Sequence, residues 1–185
     1  MNQKLQVFVL ADGEKCVGCK ACEIACFTEH NQKENGVGQT VGTVSIPVMP
    51  KLYVTKEKEL CMPIQCRHCE DAPCLEACTL HAIRKEADGV MISQDQCTGC
   101  KDCLMACPFG AIELYPVIKK GEFIMQADSD EIKQAASKCD MCMDNPMGPA
   151  CVRACKAEAL RIVHVEPEQE VKRIKAARIL EQLKD

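Results

Sequence analysis

Cysteine is the residue that most constrains how this chain can fold. It occurs 17 times in 185 residues, and all of these except Cys61 fall into four groups of four. The groups are Cys16, Cys19, Cys22 and Cys26; Cys66, Cys69, Cys74 and Cys78; Cys97, Cys100, Cys103 and Cys107; and Cys139, Cys142, Cys151 and Cys155. Each group ends in two cysteines separated by three residues, and the groups begin at irregular intervals. The pattern therefore indicates a repeated motif and not a solenoid of fixed period.

Composition indicates that the cysteines must stabilise the fold. Aromatic residues make up 3% of the chain and Trp is absent, so two half-size lobes would have few large side chains to bury. The amino terminus has neither an apolar export segment nor a twin arginine, and we therefore expect a cytoplasmic protein. In a reducing cytosol, dense cysteine indicates metal binding. No apolar run approaches the roughly 18 residues of a membrane span, and the formal charge of −4 argues against a nucleic-acid partner.

The third group carries the most specific motif. Residues 97–108, CTGCKDCLMACP, reproduce the bacterial ferredoxin run C-x2-C-x2-C-x3-C-P, in which the fourth cysteine ligates the other cluster. Three thiolates on one tight loop can hold three corners of a cubane, and a fourth on the following short helix points towards a neighbouring cluster. The groups must therefore work in pairs. Groups two and three are adjacent and are expected to form one unit, which interrupts a second unit made by groups one and four.

We accordingly predict an α+β fold. It consists of two nested bacterial-ferredoxin-like modules, each holding two [4Fe-4S] clusters, with short β-hairpins and small helices and with a C-terminal helix. The discontinuous outer module is expected at residues 1–60 and 116–166, the inserted module at 61–115 and the helix at 167–185. In that tail Ala176, Leu180 and Leu183 have helical spacing, and it is expected either to pack on its own lobe or to dock to a catalytic subunit or a second copy.

Short apolar runs predict the strands. Residues 5–11 and 89–93 are expected to be the hairpin partners of residues 159–165 and 110–115, respectively.

The two segments between these units, 27–60 and 116–138, are expected to be connectors. The first contains a Val-rich alternating stretch at 41–54. The second is expected to contain a helix near 129–138 with Ser129 or Asp130 as its N-cap.

Zinc is the main competitor for the cysteines. A zinc site closes two separated C-x2-C pairs around one ion, whereas groups one and three have three cysteines at successive two-residue gaps. Group four, C-x2-C-x8-C-x3-C, is the most zinc-like by itself, but its ending matches the other groups. The spacing therefore favours iron–sulfur clusters.

Other residues near the groups have less specific roles. Cys61 is expected to be a small buried thiol and not a ligand. Four histidines are expected at the surface or in packing, although the one between Cys66 and Cys69 must lie against a cluster; they are His30, His68, His81 and His164. Basic side chains adjacent to ligands either offset cluster charge or form solvated surface, and they are Lys15, Lys20, Arg67, Lys101, Lys138 and Arg153.

No catalytic site is visible in the sequence. A G-x-S-x-G elbow, a phosphate-binding loop and a dinucleotide fingerprint are all absent, and we predict no catalytic residue. One-electron centres without a substrate site indicate electron transfer.

Three stretches together carry a family resemblance: CRHCEDAPCLEAC, CTGCKDCLMACPFGAIE and KCDMCMDNPMGPACVRACKAEALRI. They resemble the four-cluster, polyferredoxin-like iron–sulfur subunits of the dimethyl sulfoxide reductase type. More narrowly, they are similar to the small electron-transfer subunits of formate dehydrogenase-hydrogenase complexes (formate hydrogenlyase or hydrogen-dependent CO2 reductase). The resemblance covers roughly residues 5–165.

This resemblance implies four [4Fe-4S] clusters that relay electrons between formate dehydrogenase and hydrogenase. The alternatives are an electron carrier for carbon monoxide dehydrogenase and a freely diffusing polyferredoxin. Further partners would be a second iron–sulfur subunit or copies of this chain, bound through the C-terminal helix.

The resemblance also implies the ligand sets. They are Cys16, Cys19, Cys22 with Cys155; Cys139, Cys142, Cys151 with Cys26; Cys66, Cys69, Cys74 with Cys107; and Cys97, Cys100, Cys103 with Cys78. The proline that usually follows the last cysteine is kept only as Pro108. Phe27, Thr79 and Lys156 stand in the other three places, where they could alter packing or charge around the clusters.

Overall fold

The computed structural model describes residues 7–32, 46–86, 89–127 and 129–182. Within these ranges the chain forms short strands and helices in mixed order, which agrees with an α+β fold. The elements are β1 (Val7–Ala11), α1 (Ala21–Asn31), β2 (Leu52–Glu57), β3 (Leu60–Gln65), α2 (Pro73–Glu76), β4 (Ile83–Glu86), β5 (Gly89–Ile92), α3 (Asp102–Ala106), β6 (Glu113–Pro116), β7 (Ile118–Lys119), β8 (Glu122–Phe123), β9 (Gln134–Ser137), α4 (Ala150–Ala154), β10 (Leu160–His164) and α5 (Val165–Gln182).

Strands β1 and β10 bring the two ends of the cysteine-bearing region together. They pair antiparallel, with Val9 opposite Ile162, and the backbone N–H of Asp12 continues the ladder by donating to the carbonyl of Ala159 at 2.8 Å. Val9 is completely buried, as is nearly all of Leu160. The predicted pairing of these two segments is confirmed for the residues described.

The second predicted pairing is wrong. Strand β6 pairs with β9, Glu113 lying opposite Ser137, whereas β5 pairs with β4, Ile83 lying opposite Ile92. Strand β4 is much closer to β5 along the chain than β6 is, so a local hairpin closes a shorter loop. This leaves β6 free to pair with a distant strand.

The helix predicted near residues 129–138 is also wrong, because Gln134–Ser137 form β9. Ala135, Ala136 and Ser137 are consecutive and all buried. A short helix would turn at least one of three consecutive side chains to solvent, whereas a strand covered on both faces buries all of them. The hydroxyl of Ser129 accepts from the N–H of Glu131 at 3.3 Å in a local turn and caps no helix.

The predicted connectors contain paired strands. In the first, β2 pairs with β3, Leu52 lying opposite Gln65, and this hairpin runs through the predicted module boundary at residues 60 and 61. In the second, β7 and β8 form a two-residue ladder. Residues 33–45, which include the start of the Val-rich stretch, lie outside the described residues. The domain limits stay a prediction.

Two hydrophobic cores that contain cysteines lie under these elements, and a third, smaller cluster is formed by Phe27, Ile46 and Ile118. The first core combines the two ends of the region: Val9, Ala11, Cys22, Cys26, Leu52, Met141, Cys151 and Leu160. The second core comes from its middle: Ala72, Cys74, Ile83, Val90, Cys103, Ile112 and Ala136. Helix α1 packs on α4 beside the first core, and α2 packs on α3 beside the second. The large aliphatic side chains are few, so the thiols make up a substantial part of each core.

Helix α5 lies outside both cores. The sequence predicts it from residue 167, and it is observed over Val165–Gln182, with Leu183 outside the described residues. None of its described side chains is buried, and Arg161 on β10 makes two hydrogen bonds of 2.9 and 3.0 Å to the Glu168 carboxylate. Among the described helices, including this one, none combines the length and the apolar character needed to cross a membrane.

Candidate metal centre

The four cysteine groups share one local structure. The third cysteine of each group already lies in a helix, and these are Cys22 in α1, Cys74 in α2, Cys103 in α3 and Cys151 in α4. The expectation that the first three cysteines share a loop is therefore wrong, because the helix begins before the third. In three of the groups the fourth cysteine lies at or just after the helix end, whereas Cys26 lies within the longer α1.

Left-handed backbone residues shape the loops that precede α1 and α3. Gly18 and Lys20 have φ of 70° and 60°, and Gly99 and Lys101 have φ of 77° and 76°. This repeated conformation curls the loop tightly, so that backbone N–H groups can point inwards at sulfur. A Cβ atom on Gly99 would lie 2.9 Å from the carbonyl oxygen of Gln134, so the loop also packs closely on β9.

Groups one and four lie together around the first core. Burial raises the pKa of Cys22 to about 11, and the charge of Cys155 acts in the same direction. Burial likewise raises the pKa of Cys26 to about 12, with further contributions from Cys151 and Cys142. The fourth cysteine of each group is therefore next to cysteines of the other group. That these residues ligate shared clusters stays a prediction.

Groups two and three lie together around the second core in the same crossed manner. Burial raises the pKa of Cys74 to about 11, and both Cys66 and Cys107 add to the shift. Burial raises the pKa of Cys103 to about 11 as well, and Cys78 is among the residues that add to it. Cys107 accordingly lines one cavity with Cys66, Cys69 and Cys74, and Cys78 lines another with Cys97, Cys100 and Cys103.

Backbone N–H groups donate to many of these sulfurs. Such bonds stabilise a thiolate and, in an iron–sulfur protein, raise the potential of the cluster it holds. The donor and acceptor pairs are Lys51 and Cys26 (3.3 Å), His68 and Cys66 (3.3 Å), Ala136 and Cys97 (3.3 Å), Ala111 and Cys107 (3.5 Å), Met141 and Cys139 (3.4 Å), and Ala159 and Cys155 (3.2 Å). All-sulfur donor sets with amide hydrogen bonds fit [4Fe-4S] clusters.

The spacing of the sulfurs argues against zinc. Four thiolates on one tetrahedral zinc, with bonds of about 2.3 Å, would lie about 3.8 Å from one another. Within the described parts of the chain, only His30, Asp140 and Cys142 form a group of three possible donors within 4.8 Å of each other. The grouped cysteines are therefore spaced more widely than one ion requires, as expected around a cluster of several irons. Fold and site together define an iron–sulfur protein.

His30, Asp140 and Cys142 form part of a hydrogen-bonded group beside Cys26. The His30 Nε2 atom lies 2.9 Å from an Asp140 oxygen, and the Lys51 ammonium donates to the same carboxylate at 2.6 Å. Burial alone would raise the pKa of Asp140, but the hydrogen bond from His30 and the charge of Lys51 outweigh it and hold that pKa well below its usual range. The group anchors the loop of group four to α1. Sequence analysis missed it, because Lys51 and Asp140 are far apart along the chain.

His68 is a packing residue, as predicted. It is 3% exposed, and its Nδ1 accepts a hydrogen bond from the N–H of Val90 at 3.1 Å. Burial lowers its pKa to about 4, and the charge of Lys138 acts in the same direction. His30 is half-buried, whereas His81 and His164 are exposed.

Cys61 is a buried thiol, as predicted, and it lies against the first group. Its sulfur is 3.8 Å from that of Cys16, and a Cβ atom on Gly18 would approach it to 2.8 Å. The loop of group one therefore packs directly on β3.

The basic residues beside the ligands differ in burial, and that any of them offsets cluster charge stays a prediction. Lys15, Lys20 and Lys101 are exposed, as solvated surface would be. The Arg67 guanidinium lies between the rings of Phe8 and Phe109, 5.3 and 5.9 Å from their centroids. Lys138 is 4% exposed, and the sequence signal for it was its position directly before Cys139.

Known proteins provide independent comparisons. A family model described as "4Fe-4S dicluster domain" matches residues 58–165. Electron transport protein HydN of Escherichia coli (strain K12) is 38% identical over 155 residues, which are 83% of this chain and 85% of HydN. Hydrogenase-4 component A of Escherichia coli (strain K12) is 35% identical over 178 residues, with 84% of this chain and 82% of that protein covered.

Among solved structures, a chain of the active site complex BamBC of Benzoyl Coenzyme A reductase covers 99% of this chain and 100% of its own length. That chain is 16% identical to this one, with a TM-score of 0.38. The family model matches more than half of the chain, and both relatives are more than 30% identical over more than two thirds of it. The chain therefore belongs to the 4Fe-4S dicluster domain family and is an iron–sulfur electron-transfer protein.

Proposed function

We propose that this chain is a non-catalytic, cytoplasmic subunit that carries four [4Fe-4S] clusters and relays electrons between the catalytic subunits of a redox complex. The observation that carries the proposal is the crossed neighbourhood of the cysteines, in which Cys26 shares a core with Cys151 of group four and Cys107 lines one cavity with the first three cysteines of group two. When bound, such clusters supply one-electron transfer. The two cores then hold two pairs of clusters in one chain, as in a member of the dimethyl sulfoxide reductase type.

The ligand sets proposed are those implied by the family resemblance, with three cysteines from one group and the last from its partner group. The chain itself contributes the thiolates, the amide hydrogen bonds to sulfur and the burial that excludes water. The pairing of β1 with β10 supports this assignment, because nested ferredoxin-like modules require the two ends of the cysteine-bearing region to meet.

The catalytic partners we propose are formate dehydrogenase and hydrogenase. Support comes from the names of two relatives, an electron transport protein and a hydrogenase component. Helix α5 is a candidate contact, to a catalytic subunit, a second iron–sulfur subunit or a second copy. Its apolar side chains Val171, Ile174, Ile179 and Leu180 are between 46% and 64% exposed. Removing the residues after Glu166 should leave the cluster content unchanged. On a size-exclusion column, the truncated chain should elute as a smaller assembly only if α5 mediates assembly.

Cluster content tests the central claim. Chain purified without oxygen should hold about 16 iron and 16 sulfide per molecule and give four EPR-active centres on reduction. Stoichiometric zinc, or iron sufficient for only one or two clusters, would overturn the proposal. Affinity purification from the native host should recover formate dehydrogenase and hydrogenase subunits. Recovery of carbon monoxide dehydrogenase, or of the chain alone, would instead favour the two alternative carriers.

A further inference from the structure

Lys138 is a buried lysine at the boundary between the two cores. Its ammonium donates hydrogen bonds to the carbonyl oxygen of Val90 and to that of Cys139, the latter at 3.2 Å. Val90 belongs to the second core, whereas Cys139 packs against the first. The other lysines beside cysteine ligands, such as Lys101, are exposed. Lys138 therefore differs from them in burial and in joining the two halves of the chain.

The surroundings of Lys138 contain cysteines of two different groups. Cys139 of group four follows it directly, and Val90, whose carbonyl accepts a hydrogen bond from Lys138, lines one cavity with the proposed ligands Cys66, Cys69, Cys74 and Cys107. His68 lies near it, and its Nδ1 accepts the N–H of Val90 at 3.1 Å. The carboxylate of Asp140, two residues after Lys138, is paired with Lys51 at 2.6 Å.

A buried ammonium is unfavourable unless nearby groups compensate for its lost hydration. Two carbonyl oxygens satisfy two of its three donors but supply no full negative charge. Thiolate-ligated clusters carry net negative charge, and reduction adds one more. A fixed positive charge close to a cluster therefore stabilises the reduced form, and burial keeps water and salt from screening the interaction.

We propose that Lys138 raises the reduction potentials of the two clusters that face each other across the boundary between the cores. On the proposed function, from which this inference follows, these are the clusters on Cys66, Cys69, Cys74 and Cys107 and on Cys139, Cys142, Cys151 and Cys26. Lys138 is not a ligand. It is the charge shared by both clusters at the point where an electron passes from one half of the chain to the other.

Redox titration followed by EPR tests this proposal. The whole chain is compared with Lys138→Gln, which keeps an N–H donor, with Lys138→Met, which suits an apolar site, and with Lys138→Arg, which keeps the charge. In both neutral variants two of the four potentials should fall, each by about tenfold in the reduction equilibrium constant, or 59 mV for one electron. Lys138→Arg should remain near the wild-type values. Lys101→Gln, which removes an exposed lysine beside a ligand, is the matched control and should move each potential much less.

Assignment of the two shifted signals uses Cys74→Ser and Cys142→Ser, each of which alters one cluster. Four clusters with unchanged potentials in the neutral variants would overturn the inference and leave the proposed function standing. The inference is equally overturned if both neutral variants fail to assemble clusters while Lys138→Arg assembles normally, because the lysine would then act in folding. Wild-type chain with fewer than four clusters would overturn the proposed function, and this inference with it.

Discussion

Replacement of Gly89 by alanine should strongly destabilise the second core. Gly89 begins β5 with φ of 144°, a conformation that L side chains rarely adopt. A Cβ atom there would overlap the Nδ1 atom of His68. That nitrogen accepts the N–H of Val90 at 3.1 Å, and His68 is buried, so the ring has little room to move away.

Three contributions add up at this position. The strained backbone costs about 1–3 kcal/mol, overpacking of a buried site costs about 1–3 kcal/mol, and loss of the buried hydrogen bond from Val90 costs about 1–3 kcal/mol. We therefore expect Gly89→Ala to lose about 3–9 kcal/mol, a large part of the roughly 5–15 kcal/mol that stabilises a typical domain.

Gly110→Ala is the matched control. Gly110 also has positive φ, 58°, but a Cβ atom there would meet nothing within 4 Å, so only the backbone strain applies. Both variants are compared with the wild type by the denaturant midpoint at which the visible cluster absorbance is lost under anaerobic conditions. Gly89→Ala should unfold at a much lower denaturant concentration than Gly110→Ala. Equal midpoints for the two variants would refute the close approach of His68 to β5.

Three further predictions concern the ligands and the contact between the cores. Cys26→Ala should lose or damage the cluster of group four, leaving about 12–15 iron atoms per molecule. Cys61→Ala is the control and should retain about 16 iron atoms per molecule. An EPR spectrum with an intact group-four cluster and a damaged group-one cluster would contradict crossed ligation. Arg67→Ala should lower the free energy of unfolding by about 1–3 kcal/mol, because the guanidinium contacts both Phe8 and Phe109. Arg67→Lys should recover only part of this loss. An unchanged denaturant midpoint in Arg67→Ala would argue against these contacts. Chain prepared without iron should show no cooperative thermal transition by circular dichroism, because thiolate–metal bonding supplies folding free energy to cores that contain so many cysteines; a sharp transition would contradict that dependence.

Local features of the chain were predictable because their physical causes lie within a few residues. The gaps between cysteines decide which thiolates lie close together along the chain, and this identified the four groups and Cys61 as the exception. The pairing of β1 with β10 also followed, because closing the second pair of groups requires the two ends of the region to meet. The helical spacing of Ala176, Leu180 and Leu183 similarly predicted a helix, observed as α5.

Other features depended on contacts between distant segments. Residues 134–137 form a strand only because β6 is available to pair with them, and their local sequence by itself favoured a helix. The choice between β4 and β6 as the partner of β5 was a competition between two loop lengths, and no side-chain pattern within β5 reveals its outcome.

The charges near the cysteines illustrate the same division. The amino-acid sequence alone gives the four cysteine groups and shows that every proposed ligand is a thiolate, because spacing and residue type are local properties. Contacts between distant segments bury Lys138, leave Lys101 exposed and bring Lys51 to Asp140. Burial and ion pairing depend on what the rest of the chain packs against a residue, and so the electrostatic surroundings of the sulfurs emerge only when the two cores come together.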